Sequence, residues 1–233
     1  MKKPAREDCE APICGIVHLI EDDDALADAL IFLLESRGLD VRRYPHAEAF
    51  LSWLDEVRGP GTAADQPGAL AGRPACLLLD VRLDTRGRAM SGLELFDRLH
   101  QAALVSDWPV VFLSGHADIR MAVDAVKRGA FDFFEKPFSD NRLADRLIDA
   151  LAESQRRIDA ARGTASVEAR LDRLSARERE VMDQVLEGKA NKMIAHELGI
   201  SMRTVEVHRS NLFTKMEVRS AVELARLLST GSI

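Results

Sequence analysis

Between residues 14 and 137, five short apolar runs alternate with helical patterns, and this alternation limits the fold more than any other feature. The runs are CGIVHLI (14–20), LDVRRY (39–44), CLLLDV (76–81), WPVVFLSG (108–115) and AFDFFEKP (130–137). Between them lie ALADALIFLLESRG (25–38), AEAFLSWLDEV (47–57), LELFDRLHQA (93–102) and DIRMAVDAVKRG (118–129), each with apolar residues at helical spacing. Strand–helix alternation of this kind predicts a parallel sheet with helices on both faces. Ligand sites in such sheets form at the carboxyl ends of the strands. A further helical pattern runs from about Asp140 to Arg162, and the small, polar DAARGTASVEA (159–169) is expected to be a linker.

From about Leu171 onward there is no strand pattern. Ser175 and Glu178 have the spacing of a capping box that opens a helix, and so do Ser220 and Glu223. Asn191 is expected to cap a second helix that ends at Gly199, and Ser201 a third that runs to about Met216. Short helices joined by a tight, Gly-containing turn form a helix-turn-helix pattern. On the third helix, Val205, His208, Leu212 and Met216 share one face, expected to point inward. Arg203, Val207, Ser210 and Thr214 lie opposite, flanked by Glu206 and Arg209. That face is polar and short-chained, as suits a helix entering the major groove.

Charge divides the chain in the same place. Residues 1–163 hold 21 Lys and Arg against 28 Asp and Glu, a net −7, whereas residues 164–233 hold 11 against 10, a net +1. Two modules with different partners are implied. No apolar run approaches the roughly 20 residues needed to span a bilayer, and MKKPAREDCEAP at the start is charged, so a cytoplasmic protein is expected. Cys9, Cys14 and Cys76 have no metal or redox spacing and are expected to be reduced thiols. The Gly/Pro/Ala-rich stretch 58–74 is expected to be a tolerated surface insertion.

The strand ends gather chemistry. The first ends in Glu21, Asp22, Asp23 and Asp24, the third in Asp80, the fourth in Ser114 and the fifth in Lys136. Clustered carboxylates repel unless a cation sits among them. A hard divalent ion with oxygen ligands answers that need, and a lysine adds positive charge. Acids, metal, lysine and hydroxyl together fit a carboxylate that accepts a phosphoryl group.

VHLIEDDD, LLLDV, SGLELFDRL and FLSGHADIRMAVDAVKRGAFDFFEKPF, within residues 14–138, resemble the receiver domain of two-component response regulators, and the last stretch resembles the FixJ branch in detail. LSAREREVMDQVLEGKANKMIAHELGISMRTVEVHRSNLFTKM resembles the LuxR/NarL helix-turn-helix. The resemblance implies a flavodoxin-like, doubly wound, five-stranded parallel sheet of order 2-1-3-4-5, followed by a small all-α four-helix domain. The expected boundaries are 12–139 for the receiver, 140–168 for the long helix and linker, and 169–233 for the DNA-binding domain.

By the same resemblance Asp80 is the phosphoacceptor, and Mg²⁺ is held by Glu21, Asp22, Asp80 and the backbone carbonyl of Arg82. Asp22 with Asp23 is the alternative register for the acidic pair. Ser114 and Lys136 contact the phosphoryl group, and Phe133 is the aromatic switch. Lys192, Arg203, Arg209 and Lys215 are candidates for DNA phosphates, and Thr204, Glu206, Val207 and Ser210 for bases. The implied partners are a sensor histidine kinase, promoter DNA, RNA polymerase and, on activation, a second copy of the chain. Helix 220–229, with Val222, Leu224, Ala225 and Leu228, is the expected dimer contact of the DNA-binding part.

Two departures from the family stand out. Glu21 replaces the usual Asp and moves that carboxylate outward by one methylene. The step from Asp80 to Gly92 is about four residues longer than in the family and lacks Pro; its Asp84, Arg86 and Arg88 are expected to be solvated. Two rival readings follow: a phosphorylation-independent DNA binder that keeps the receiver as a dimerisation module, and an aspartyl-phosphate hydrolase. The hydrolase would need an acid two residues after Asp80, where this chain has Arg82.

Overall fold

The computed structural model describes residues 15–58, 73–83, 90–101, 108–115 and 119–230. The expectations for Cys9, Cys14, Asp84, Arg86, Arg88 and most of the 58–74 stretch lie outside the described residues. The chain divides into two compact units, Met1–Ile158 and Asp159–Ile233.

The first unit is built on five parallel strands: β1 (Ile16–Ile20), β2 (Asp40–Tyr44), β3 (Ala75–Asp80), β4 (Val110–Ser114) and β5 (Asp132–Glu135). Their order is β2-β1-β3-β4-β5, the doubly wound arrangement expected. Helices α1 (Asp24–Ser36), α2 (Ala47–Arg58), α3 (Gly92–Gln101) and α4 (Ile119–Lys127) connect successive strands, and α5 (Asp140–Asp172) follows β5.

Every residue of β3 is buried, as a central strand covered on both faces must be. Its side chains alternate between two cores. Leu77 and Leu79 pack with Phe50 and Leu54 of α2 and Leu95 and Phe96 of α3. Cys76 and Leu78 pack with Ala27, Leu30 and Leu34 of α1 and Leu143, Leu147 and Leu151 of α5. Asp23 caps α1, its carboxylate accepting from the Leu26 amide at 3.0 Å.

α5 does not stop at Arg162. It runs unbroken to Asp172, through the segment read as a linker. Small residues there suggested a loop, but Ala160, Ala161, Ala165 and Ala169 are strong helix formers, and no proline interrupts them. Burial nonetheless ends at Ile158, the last buried residue of the helix.

The second unit holds the remainder of α5 with α6 (Ala176–Leu186), α7 (Asn191–Leu198), α8 (Met202–Met216) and α9 (Ala221–Thr230). The Ser175–Glu178 capping box forms, and Ser201 caps α8 through the Thr204 amide at 3.0 Å. Asn191 does not cap α7. The N-cap is Ala190, whose methyl offers no acceptor, and the Asn191 side-chain Oδ1 accepts instead from Arg209 Nη1 at 2.8 Å. Gly199 ends α7 at φ +64°, the left-handed conformation that glycine adopts without strain. Val205, Leu212 and Met216 are fully buried, as their shared face predicts, and His208 is half-buried. Leu224 of α9 is likewise fully buried in this unit's own core, so it is not available to a second copy; Val222 stands exposed. No described helix is long and apolar enough to cross a membrane.

A buried histidine adds a pH-dependent cost. His18 on β1 stacks on Trp108 at 4.8 Å between ring centroids, and its Nδ1 lies 3.1 Å from the Tyr44 hydroxyl. Burial, helped by the Arg42 and Arg73 charges, lowers its pKa to about 3. The unfolded chain takes up this proton near pH 6.5. Between pH 6.5 and 3 the unfolded state therefore binds one more proton, and stability falls as pH falls. Urea unfolding at pH 7 and pH 5 is expected to show about 2 kcal/mol more loss in wild type than in His18→Gln. Equal losses would contradict this role for His18.

Candidate phosphoacceptor site and nucleic-acid interface

Parallel pairing carries the carboxyl ends of β1, β3, β4 and β5 to one edge, and Glu21, Asp22, Asp80 and Lys136 meet there. Lys136 follows β5, and its amide donates to the Ser114 carbonyl at 2.7 Å, which fixes where the lysine stem departs. Its ammonium donates to Asp80 Oδ2 and, at 2.9 Å, to Glu21 Oε2. Asp80 and Glu21 are both nearly inaccessible, at 6% and 1% exposure, so without this shared cation two buried carboxylates would face each other unpaired. The remaining Asp80 oxygen, Oδ1, accepts the Arg82 amide at 2.9 Å.

One carboxylate oxygen from each of Glu21, Asp22 and Asp80 lies within 4.8 Å of the others. Three hard oxygen donors, one half-open to solvent at Asp22, fit a small divalent cation that keeps part of its water shell. Asp23, the alternative partner, is occupied at the start of α1. Glu21 also accepts the Asp23 amide at 3.2 Å, so its extra methylene lets one side chain serve both the turn and Lys136.

The electrostatics follow from this crowding. Burial raises the Glu21 pKa to about 7; the Lys136 hydrogen bond opposes the rise, and the Asp80 charge adds to it. For Lys136, burial works against the charged form. The hydrogen bonds and charges of Asp80 and Glu21 outweigh it, so the pKa rises and the ammonium persists. The site is short of positive charge, and a divalent cation would supply it.

Ser114 is fully buried at the end of β4, paired in register with Glu135. Phe133 is half-buried, its ring centroid 6.2 Å from that of Phe112.

Gly92 is a requirement that sequence reasoning did not assign. α3 begins against the end of β3, with the Gly92 amide on the Val81 carbonyl at 3.1 Å. A Cβ at Gly92 would lie 2.0 Å from the Asp80 carbonyl oxygen. The Ser91–Gly92 pair of the family pattern was the available signal. Glu48, in the first turn of α2, also went unassigned; its Oε1 accepts the Met90 amide at 3.1 Å and so anchors the chain just ahead of Gly92.

In the second unit, Lys192, Arg203, Glu206, Val207 and Ser210 are exposed, and Thr204 is half-buried. Arg209 and Lys215 are engaged within the unit. Arg209 bonds Asn191 and lies 5.5 Å from the Phe213 ring centroid. Lys215 donates to Glu178 Oε2 at 2.6 Å, tying the capping box of α6 to the end of α8, and holds the buried Glu178 carboxyl below the usual carboxylate range.

Comparison with known proteins covers both units. The model of the response regulator receiver domain matches residues 17–148, and that of bacterial regulatory proteins, luxR family, matches 172–228. The C4-dicarboxylate transport transcriptional regulatory protein DctR of Rhodobacter capsulatus is 44% identical over 211 residues, which is 91% of this chain and 98% of DctR. The transcriptional regulatory protein FixJ of Bradyrhizobium diazoefficiens is 38% identical over 213 residues, which is 91% of this chain and 94% of FixJ. Among solved structures, the response regulator StyR aligns with a TM-score of 0.75 at 34% identity, covering 92% of this chain and 98% of StyR. Full-length FixJ from B. japonicum aligns at 0.52 and 37% identity, covering 93% of this chain and 97% of that one.

Gly92→Ala tests the packing at Asp80. The added methyl meets backbone, which cannot swing aside, so a loss of about 2 kcal/mol or more is expected in chemical denaturation. A stability equal to wild type would show that the α3 start shifts freely.

Proposed function

The chain belongs to the two-component response regulators of the FixJ/NarL type, with a receiver domain ahead of a LuxR-type DNA-binding domain, and from that membership we propose that phosphorylation of Asp80 switches its activity as a transcription regulator. The observation that supports this most strongly is the Lys136 ammonium shared by two buried carboxylates, Asp80 and Glu21, with Asp22 beside them.

A sensor histidine kinase is the donor in this reading. An Asp80 carboxylate oxygen attacks the phosphorus of a phosphohistidine, the P–N bond breaks, and the imidazole leaves with a proton. Asp80 is then an acyl phosphate. Mg²⁺ held by Glu21, Asp22, Asp80 and the Arg82 carbonyl would neutralise charge on the transferred phosphoryl oxygens. Lys136 is bonded to Asp80 before transfer and turns to a phosphoryl oxygen afterwards. Ser114 offers its hydroxyl to another, and Phe133 repacks into the space that the serine leaves.

That change matters only if the phosphorylated site favours one of two receiver states over the other. The favoured state dimerises through the α4–β5 face and presents two DNA-binding units to half-sites about one helical turn apart. On α8, Thr204, Glu206, Val207 and Ser210 face bases. Lys192 and Arg203 meet phosphates. Arg209 and Lys215 are further candidates for phosphates, each also bonded within the unit, to Asn191 and Glu178. The protein then acts on promoter DNA in the cytoplasm, with RNA polymerase.

Intact mass after incubation with acetyl phosphate and Mg²⁺ tests the chemistry. One phosphoryl adduct is expected on the wild type, and none on Asp80→Asn or in the presence of EDTA. Wild type without an adduct, or an adduct that persists in Asp80→Asn, would overturn the assignment.

A further inference from the structure

The acidic turn after β1 is held from both sides, and only the inner side is accounted for by Lys136. On the outer side lies Arg43 of β2, the strand paired with β1 in the register Leu19 with Arg43 and Ile20 with Tyr44. The ladder continues one step past the strand, with the Glu21 amide on the Tyr44 carbonyl at 3.2 Å. Arg43 is therefore carried alongside the turn. Its Nη2 donates to the Asp24 carboxylate and, in a long bond of 3.5 Å, to the Glu21 carbonyl.

The ion pair by itself is ordinary, and the rest of the guanidinium sets the contact apart. The guanidinium reaches from the protein to solvent: the Arg43 side chain is 22% exposed and that of Asp24 is 87% exposed. An exposed pair of this kind contributes little to stability by itself. The Arg43 Nε, moreover, is buried and has no hydrogen-bond partner among the described residues. An unpaired buried donor is costly. The arginine nonetheless keeps the orientation that puts Nη2 on the turn. Departures of this kind from local satisfaction concentrate at functional sites.

We infer that Arg43 is a positioning residue of the acidic cluster: by bridging the Glu21 carbonyl and the Asp24 carboxylate, it holds the β1–α1 turn so that Glu21 and Asp22 stay aimed toward Asp80. The inference rests on reading the cluster as a Mg²⁺ site. It assigns Arg43 a role through geometry, which has a sign opposite to that of its charge. A positive charge beside three acids weakens cation binding, so removing it would tighten binding if charge were the whole effect. Loosening the turn weakens binding instead.

Calorimetric titration of the full-length protein with MgCl₂ separates the two, with Asp80→Asn as the blank for non-specific binding. Arg43→Gln is expected to weaken Mg²⁺ about tenfold, within the range seen when partners of metal ligands are removed. Arg43→Lys keeps the charge and the stem but loses the planar fork; it is expected to weaken Mg²⁺ about threefold, and it serves if Arg43→Gln does not fold. Binding by either variant that equals or exceeds wild type would overturn the role of Arg43 and leave the site intact. Wild type that binds no more Mg²⁺ than Asp80→Asn would overturn the cation site itself.

Discussion

Two carboxylates buried at the edge of a parallel sheet share one ammonium, and the rest of the first unit is arranged around that contact. Asp80 and Glu21 come from neighbouring strands, β3 and β1, and Lys136 from the end of β5, two strands from β3. Burial on this scale needs compensation, because each charge is removed from water and the two acids oppose each other. Lys136 compensates one unit of charge. Asp22 adds a third carboxylate beside them, so the acids outnumber the ammonium. A site left in that condition is suited to taking up positive charge.

The backbone makes this contact reproducible. The Arg82 amide fixes one Asp80 oxygen, Asp23 fixes the start of α1, and Gly92 allows α3 to begin against the Asp80 carbonyl. The second unit shows the same economy of polar groups. Glu178 closes the capping box on Ser175 and receives Lys215 from α8, so one buried carboxylate joins two helices. Arg209 and Asn191 make the corresponding link between α7 and α8.

The strand–helix alternation and the strand-end chemistry were legible from the amino-acid order, because each is a local pattern with a defined period. Asp80, Lys136 and the acids 21–24 were identifiable for the same reason, each at the end of an apolar run that parallel pairing brings to one edge; the choice of Glu21 and Asp22 among those acids came from the family resemblance. Other features depend on approaches between distant segments. Gly92 is constrained by a carbonyl twelve positions earlier, and Arg43 acts through strand pairing. Lys215 is a candidate for DNA phosphates by sequence, yet its partner in the fold lies 37 residues before it. The 159–169 segment is helical, which its small residues do not reveal because they serve linkers and helices alike, and the division into two units falls at its start.

The regulator as a whole depends on whether the state of Asp80 governs what the second unit does. The most direct measurement is selection of genomic DNA fragments by the full-length protein, with Mg²⁺ and acetyl phosphate or without, for wild type and Asp80→Asn. A set of fragments retained by phosphorylated wild type, and lost from both the untreated protein and Asp80→Asn, is the predicted result. Retention of the same fragments to the same extent by Asp80→Asn would contradict control through Asp80 and leave the receiver domain as a scaffold.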